Sequence, residues 1–500
     1  MREAAAGTGG RRYGERMPVL GYCWPQSVVA GAPVDLRLAG PAGDVRVAIV
    51  RDGLAPEVVW RSGAVPVAPR DLPPSSPEDG CDWPVAVTVP SGPAWRSGLH
   101  LVTVDDEPVA WFVVRAPRPT PGAALLKLAT NTWNAYNDVG GRNLYTGAVA
   151  ASFARPLAAG FLAKPSGAGE RVVDDIGDFV AYTGRHELSM WHGMAGWAGQ
   201  ERRFARWAEA AGIPLDYATD ADVEAAGGGA ALLDGYRLLL GVGHDEYWTW
   251  GMRDAVEGFV AAGGNVAFLA GNAVYWQVRI EDRGRRMVAW KHRFAEDPVT
   301  GTEDAHLTTT MWADPLLGRP EAALTGVSFT RGGYHGIHRS VPRGTGGYEV
   351  HRPDHWLLAG TGLERGDQLG AAARVVGYEC DGCELTLVDG RPEPTGADGC
   401  PPGFAVVATA PATPFDEDTT PLPVAPGGEY ELVFHARRLL GDDSPGARDR
   451  LRHGHAVLGT WTAPGGGTVV TTGCTEWAYG LDDPVVDRVT RTIVERLNGP

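Results

Sequence analysis

YRLLLGVGHDEYWTW occupies Tyr236–Trp250. Its first part, through Val242, is apolar without alternation, the pattern of a strand buried on both faces of a sheet. It ends at Gly243; His244, Asp245 and Glu246 follow at once, with Tyr247, Trp248 and Trp250 behind them. In open parallel sheets, ligands collect just outside the carboxyl ends of the strands, so three ionisable groups at such an end mark a candidate site. His244 and Glu246 are separated by one residue. On an extended backbone they share a face, with Asp245 on the other. A histidine and a carboxylate on one face can bind a metal or share a proton. Plainer roles also exist: Asp245 can cap the helix that follows, and His244 can be a structural histidine. Glu246 beside large aromatics demands a partner or a cation.

Working outward, the same pattern repeats. ALLKLATN (124–131), LDYATD (215–220), NVAFLAG (265–271) and GGTVVTTGCTEWAYG (466–480) predict strands. QERRFARWAEAAG (200–212), TWGMRDAVEGFVAAGG (249–264) and DPVVDRVTRTIVERL (483–497) predict helices. Alternating strand and helix predicts an α/β fold, a mostly parallel sheet flanked by helices. Four predicted strand ends then meet at one edge. They bring Asn131, Thr132 and Trp133, then His244 to Glu246, then Gly271 and Asn272, then Thr475, Glu476 and Trp477. Asn131, Trp133, Trp248, Trp276 and Glu476 are the candidate substrate-binding residues, although tryptophans are more often core than platform.

Residues 19–116 read differently: short β-branched runs separated by Gly, Pro and Asp predict an all-β sandwich. PRPTPG (117–122) is the joint to a catalytic domain spanning 117–500, loop-rich over 285–455, and residues 1–18 read as a disordered lead-in. Composition fits a globular protein, 44% hydrophobic and 21% charged, and 500 residues exceed one ordinary core. The net charge of −16 argues against nucleic acid or an anionic membrane as partner. No apolar run approaches ~18 residues and no apolar leader opens the chain, so a cytoplasmic protein without a membrane span is expected.

Six cysteines in such a chain predict reduced thiols. Cys380, Cys383 and Cys400 have the look of a zinc knuckle but lack an evident fourth ligand. Lone Cys474 reads as core. Tyr136, in NTWNAYNDVGG, can add a phenolate beside Glu246. A phenolate–carboxylate set is hard and anionic and suits ferric iron better than zinc or copper.

TNTWNAYNDVGGRNLY, SFARP, GVGHDEYW, AFLAGNAVYWQVR and EWAYGLDDP together resemble the C-terminal domain of the large (β) subunit of N,N-dimethylformamidase. The resemblance implies a core like class I glutamine amidotransferases behind an immunoglobulin-like sandwich. It sets FLAGNAVYW at a sharp strand-to-helix turn where those relatives carry a nucleophilic cysteine. Gly271 and Asn272 stand there instead, which argues against cysteine acyl-enzyme chemistry. It further implies an iron held by two tyrosines and a glutamate with a histidine nearby: Glu246 as carboxylate, His244 as neighbour, Tyr136 as one phenolate. Near SFARPL, where the second tyrosine is sought, this chain has Leu157; Tyr145 or Tyr182 are the substitutes.

These readings lead to a metal-dependent amidohydrolase that cleaves the C–N bond of a small amide or formamide. The metal would act as Lewis acid, His244 as acid or base, and Asn272 as donor to the oxyanion. Two alternatives stand beside it: a biosynthetic tailoring enzyme with altered or lost metal, and an inactive ligand- or carbohydrate-binding protein. The sequence leaves homo-oligomerisation and a small partner subunit open.

Overall fold

The computed structural model describes residues 18–225, 228–336, 344–416 and 430–499. The lead-in read at 1–18 lies outside the described residues except for Pro18.

A nine-stranded sheet forms the centre. In spatial order its strands are Leu215–Thr219, Ala124–Leu128, Leu238–His244, Asn265–Gly271, Thr468–Thr471, Gly454–Thr462, Ala405–Ala412, Tyr348–Val350 and Gln368–Leu369. The first five run parallel. The pairings from Thr468–Thr471 onward are antiparallel. The sheet is therefore mixed, where the sequence suggested a mostly parallel one. In the antiparallel half Tyr348–Val350 and Gln368–Leu369 are only three and two residues long, and Ala405–Ala412 and Gly454–Thr462 mix Gly, Pro, His and Thr into their apolar runs.

The unbroken apolar runs follow from burial on both faces. Leu240, Val242 and Leu269 pack with Phe204 and Ala208 of the Gln200–Ala210 helix and with Val489 and Ile493 of the Pro484–Asn498 helix. Leu239, Val266 and Phe268 pack with Met252, Val256 and Val260 of the Trp250–Ala261 helix. Asp245 does not cap that last helix. Thr249 does, its hydroxyl accepting from Met252 N at 3.1 Å.

Ahead of this sheet, a three-stranded and a five-stranded sheet share one core that includes Leu36, Ile49, Val89, Val102 and Phe112. This assembly abuts the 200–210 helix. Asp52 there accepts from Trp197 Nε1 and Arg202 Nε, each at 2.7 Å. Among the described residues no helix is long and apolar enough to cross a membrane.

One lysine interrupts the buried run of Ala124–Leu128. Lys127 Nζ sits 2.5 Å from Asp220 and 2.7 Å from Asp245, over the Trp248 ring at 4.8 Å. The triad ties together the carboxyl ends of three adjacent strands, and Asp220 also accepts from Asn131 N at 2.7 Å. Removing one partner of a buried ion pair strands the others without compensation. Lys127→Met should therefore lower unfolding free energy by ~3–5 kcal/mol, measurable by urea denaturation.

Candidate active site

The strand Leu238–His244 ends in a bend that only glycine tolerates. Gly243 has φ 83°, and a side chain there would collide with Gln200. His244 follows, in register with Gly271. The chain then turns through Asp245 and Glu246 into a second strand, Tyr247–Thr249, which pairs with Trp276–Glu281. Glu246 N donates to Thr132 Oγ1 at 3.0 Å, so the helix Thr130–Tyr136 fixes the turn. Arg155 of SFARP clamps the end of that helix: its guanidinium donates to the carbonyls of Asn134, Asn137 and Val139.

His244 and Glu246 do converge. His244 Nδ1 donates to Met194 O at 2.9 Å. Its Nε2 faces Glu379 Oε2 at 2.6 Å and Glu246 Oε2 at 3.3 Å, with neither contact aligned as a hydrogen bond. Burial, the largest influence, disfavours the imidazolium; Glu379 and Glu246 outweigh it and hold the ring's pKa well above the ordinary histidine value. Burial likewise raises Glu246, but His244, Lys291 and Tyr145 bring its net pKa below the usual range.

The phenols gather on the other oxygen. Tyr145 donates to Glu246 Oε1 at 2.6 Å, and Tyr136 and Tyr247 donate to Tyr145 Oη at 2.9 and 3.0 Å. Burial, then the charge of Glu246, raises all three phenols well above their ordinary value, so they stand protonated as donors. Lys291 completes the group: its Nζ lies 3.0 Å from Tyr247 Oη and 3.4 Å from the centre of the Tyr145 ring. Burial pulls this amine down to about 8.

The donor set suits a hard cation. Tyr145 links the phenol of Tyr136 to the Glu246 carboxylate, and Glu246 Oε2 is buried with no hydrogen bond. Among the described residues no three His, Cys, Asp or Glu side chains are grouped to hold a metal by themselves. A cation here would draw on Tyr136, Tyr145 and Glu246.

Other candidates fall elsewhere. Asn272, at φ 47°, donates through Nδ2 to Glu379 Oε2 at 3.2 Å. The chain beyond it enters the strand Trp276–Glu281, not a helix, so the strand-to-helix turn is absent. Trp276 borders the group, 5.0 Å from Lys291 Nζ. Asn131 supports it from behind, donating to Tyr247 O at 3.1 Å. Trp133 and Trp248 are core residues whose indoles donate to Glu201 and Asp245. Glu476 is engaged by Arg171 at 2.7 Å. Tyr182 donates to Pro165 O, away from the phenols. Leu157 only packs against the core. Cys380 shares the main core with Cys474, whereas Cys383 and Cys400 share a separate apolar cluster, so the three thiols of the knuckle are not brought together.

Glu379 and Lys291 were missed in the sequence. Both lie in the 285–455 segment, and Glu379 begins the strand Glu379–Gly382, which pairs with Ser328–Tyr334. A carboxylate at the end of the apolar run VVGYEC was the available signal, obscured by the cysteines after it.

Residues 46–490 match the sequence family described as N,N-dimethylformamidase beta subunit-like, C-terminal. The chain belongs to that family. The N,N-dimethylformamidase beta subunit of an Alcaligenes species is 30% identical over 255 residues, 45% of this chain and 29% of that protein. The beta subunit from Paracoccus aminophilus is 26% identical over 323 residues, 58% of this chain and 35% of that protein. The matches to these two members of the dimethylformamidase family thus cover no more than 35% of either relative's length.

Behind this family site, Glu201 provides a check on the electrostatics. It is buried, accepts from Ala129 N and Trp133 Nε1, and is pushed up to about 8, chiefly by burial. A raised carboxyl pKa means stability present below the unfolded value and lost as pH climbs through the folded one. Glu201→Gln keeps an acceptor and removes the charge. It should leave Tm unchanged near pH 4.5 and raise it relative to wild type above pH 8; thermal melts at the two pH values check this.

Proposed function

We propose that the chain hydrolyses the C–N bond of a small amide, with N,N-dimethylformamide or a close relative as substrate. The observation that supports this most is the buried meeting of Tyr136, Tyr145 and Glu246 with the His244–Glu379 pair directly against it. Family membership points the same way. A ferric ion held by Tyr136, Tyr145 and Glu246 would supply a Lewis acid for the amide carbonyl.

The remaining work falls to side chains of this chain. The Met194 carbonyl fixes the imidazole so that Nε2 faces Glu379. Nε2 faces the Glu379 oxygen closely enough for the pair to pass one proton during turnover. With the proton removed the pair accepts one from water as the water oxygen bonds to the carbonyl carbon. It then returns the proton to the amine nitrogen as the C–N bond breaks, giving a carboxylic acid and a free amine. Asn272 orients Glu379 through one amide hydrogen, and an oxyanion role would use the second. Lys291 keeps positive charge beside Glu246 and the phenols, offsetting the carboxylates. Tyr136, Tyr145 and Trp191 pack on one another beside the group, and small apolar groups of a substrate would meet these rings.

The test combines metal analysis with turnover of N,N-dimethylformamide by the full chain. Glu246→Gln should lose iron and turnover together. His244→Ala and Glu379→Gln should retain iron and lower kcat by ~10²–10⁴. Turnover at wild-type level in all three variants would exclude this centre. An iron-free, fully active protein would exclude the metal and leave the His244–Glu379 pair to be explained alone.

A further inference from the structure

A cleft of about 350 Å³ opens between the Gln200–Ala210 helix and the loop carrying Lys164 and Glu170. Its volume lies at the lower end of small-molecule sites. None of its lining residues belongs to the His244–Glu246–Glu379 group.

Lys164 is the feature that points to a ligand. Its side chain is 2% exposed, yet its ammonium meets only Glu170 O at 3.5 Å, His192 O at 3.4 Å and the Glu170 carboxylate at 3.9 Å. A buried ammonium has three donors and normally fills them near 2.9 Å. Leaving them stretched is costly unless another acceptor arrives. Arg203 pairs with Glu170 at 2.9 Å and lies over the Tyr479 ring at 4.3 Å, while its Nε is buried without a hydrogen bond.

Charge defines what fits. Among the described residues four cations line the cleft: Lys164, Arg202, Arg203 and Arg206. Glu170 and Asp482 are the acids of the lining, and Asp52 behind it takes Arg202 at 2.7 Å and Arg206 at 3.3 Å. One positive charge is left over, which matches a monoanion. An apolar wall is formed by Trp207, Leu481 and the exposed Leu54. A carboxylate suits guanidinium and ammonium donors, and an apolar body suits the wall. We propose that this cleft binds a small organic carboxylate with an apolar body.

Calorimetric titration of the full chain with benzoate tests it, with benzamide as the neutral isostere and inorganic phosphate as the alternative anion. Benzoate should saturate one site, and benzamide should bind at least about tenfold more weakly. Lys164→Met and Arg206→Gln should each weaken benzoate by about tenfold. Arg206 is 36% exposed, so its variant decides the matter if Lys164→Met does not fold. No saturable binding at about 10 mM benzoate, equal binding of benzamide, or undiminished binding in the variants would overturn the proposal. Phosphate binding in place of benzoate would overturn the carboxylate assignment.

Discussion

Everything at the polar sheet edge rests on one buried cation. Lys127 stands in the middle of an apolar strand and is held by Asp220 and Asp245, which end or follow the two neighbouring strands. Such a triad is no bargain in stability against apolar side chains of equal volume. What it gives is position. Asp245 is covalently next to His244 and Glu246, so the charge that anchors Asp245 also decides where those two side chains begin. Asp220 in turn holds the start of the Thr130–Tyr136 helix, whose Thr132 receives Glu246 N and whose last residue is Tyr136. The carboxylate and the first phenol are thereby located by a single ionic knot on the opposite side of the sheet edge.

This division explains the alternation of HDE. His244 and Glu246 point into the polar group while Asp245 points down to Lys127. The three residues are not equivalent acids and bases in one pocket. The middle one is tied into the ion pair under the sheet edge, and the outer two belong to the polar group proposed as the site. The polar group itself mixes signs: Glu246 and Glu379 are offset by His244 and Lys291, and protonated phenols fill the space between. A hard cation entering there would have to displace phenolic protons that burial and Glu246 hold tightly, and the proton of Lys291, pulled down to about 8, is the one more easily given up.

The parallel half of the sheet was legible in the sequence because double burial writes itself as uninterrupted apolar runs, LLLGV and VAFLA among them. The strand ends were legible for the same reason, and with them His244, Glu246, Asn272 and Tyr136. Tyr145 was named only as a substitute, since nothing in NLYTG marks it; its place depends on a turn between 137 and 144 that folds it back over Tyr136. Glu379 and Lys291 were illegible because their elements are short and take their places from long-range contacts. The tryptophans misled in the opposite direction: Trp133 and Trp248 flank site residues in sequence but face the core, each satisfied by a buried acid.

Gly271 shows how closely the layers are fitted. A Cβ built on it would lie 2.5 Å from both the carbonyl oxygen of Glu379 and the amide nitrogen of Thr475. The chain that delivers Glu379 therefore passes through the volume that a side chain on this strand end would need. A side chain at 271 would be met from two directions at once, by the segment that carries Glu379 and by the backbone of Cys474 and Thr475, so withdrawing either segment alone would not make room for it.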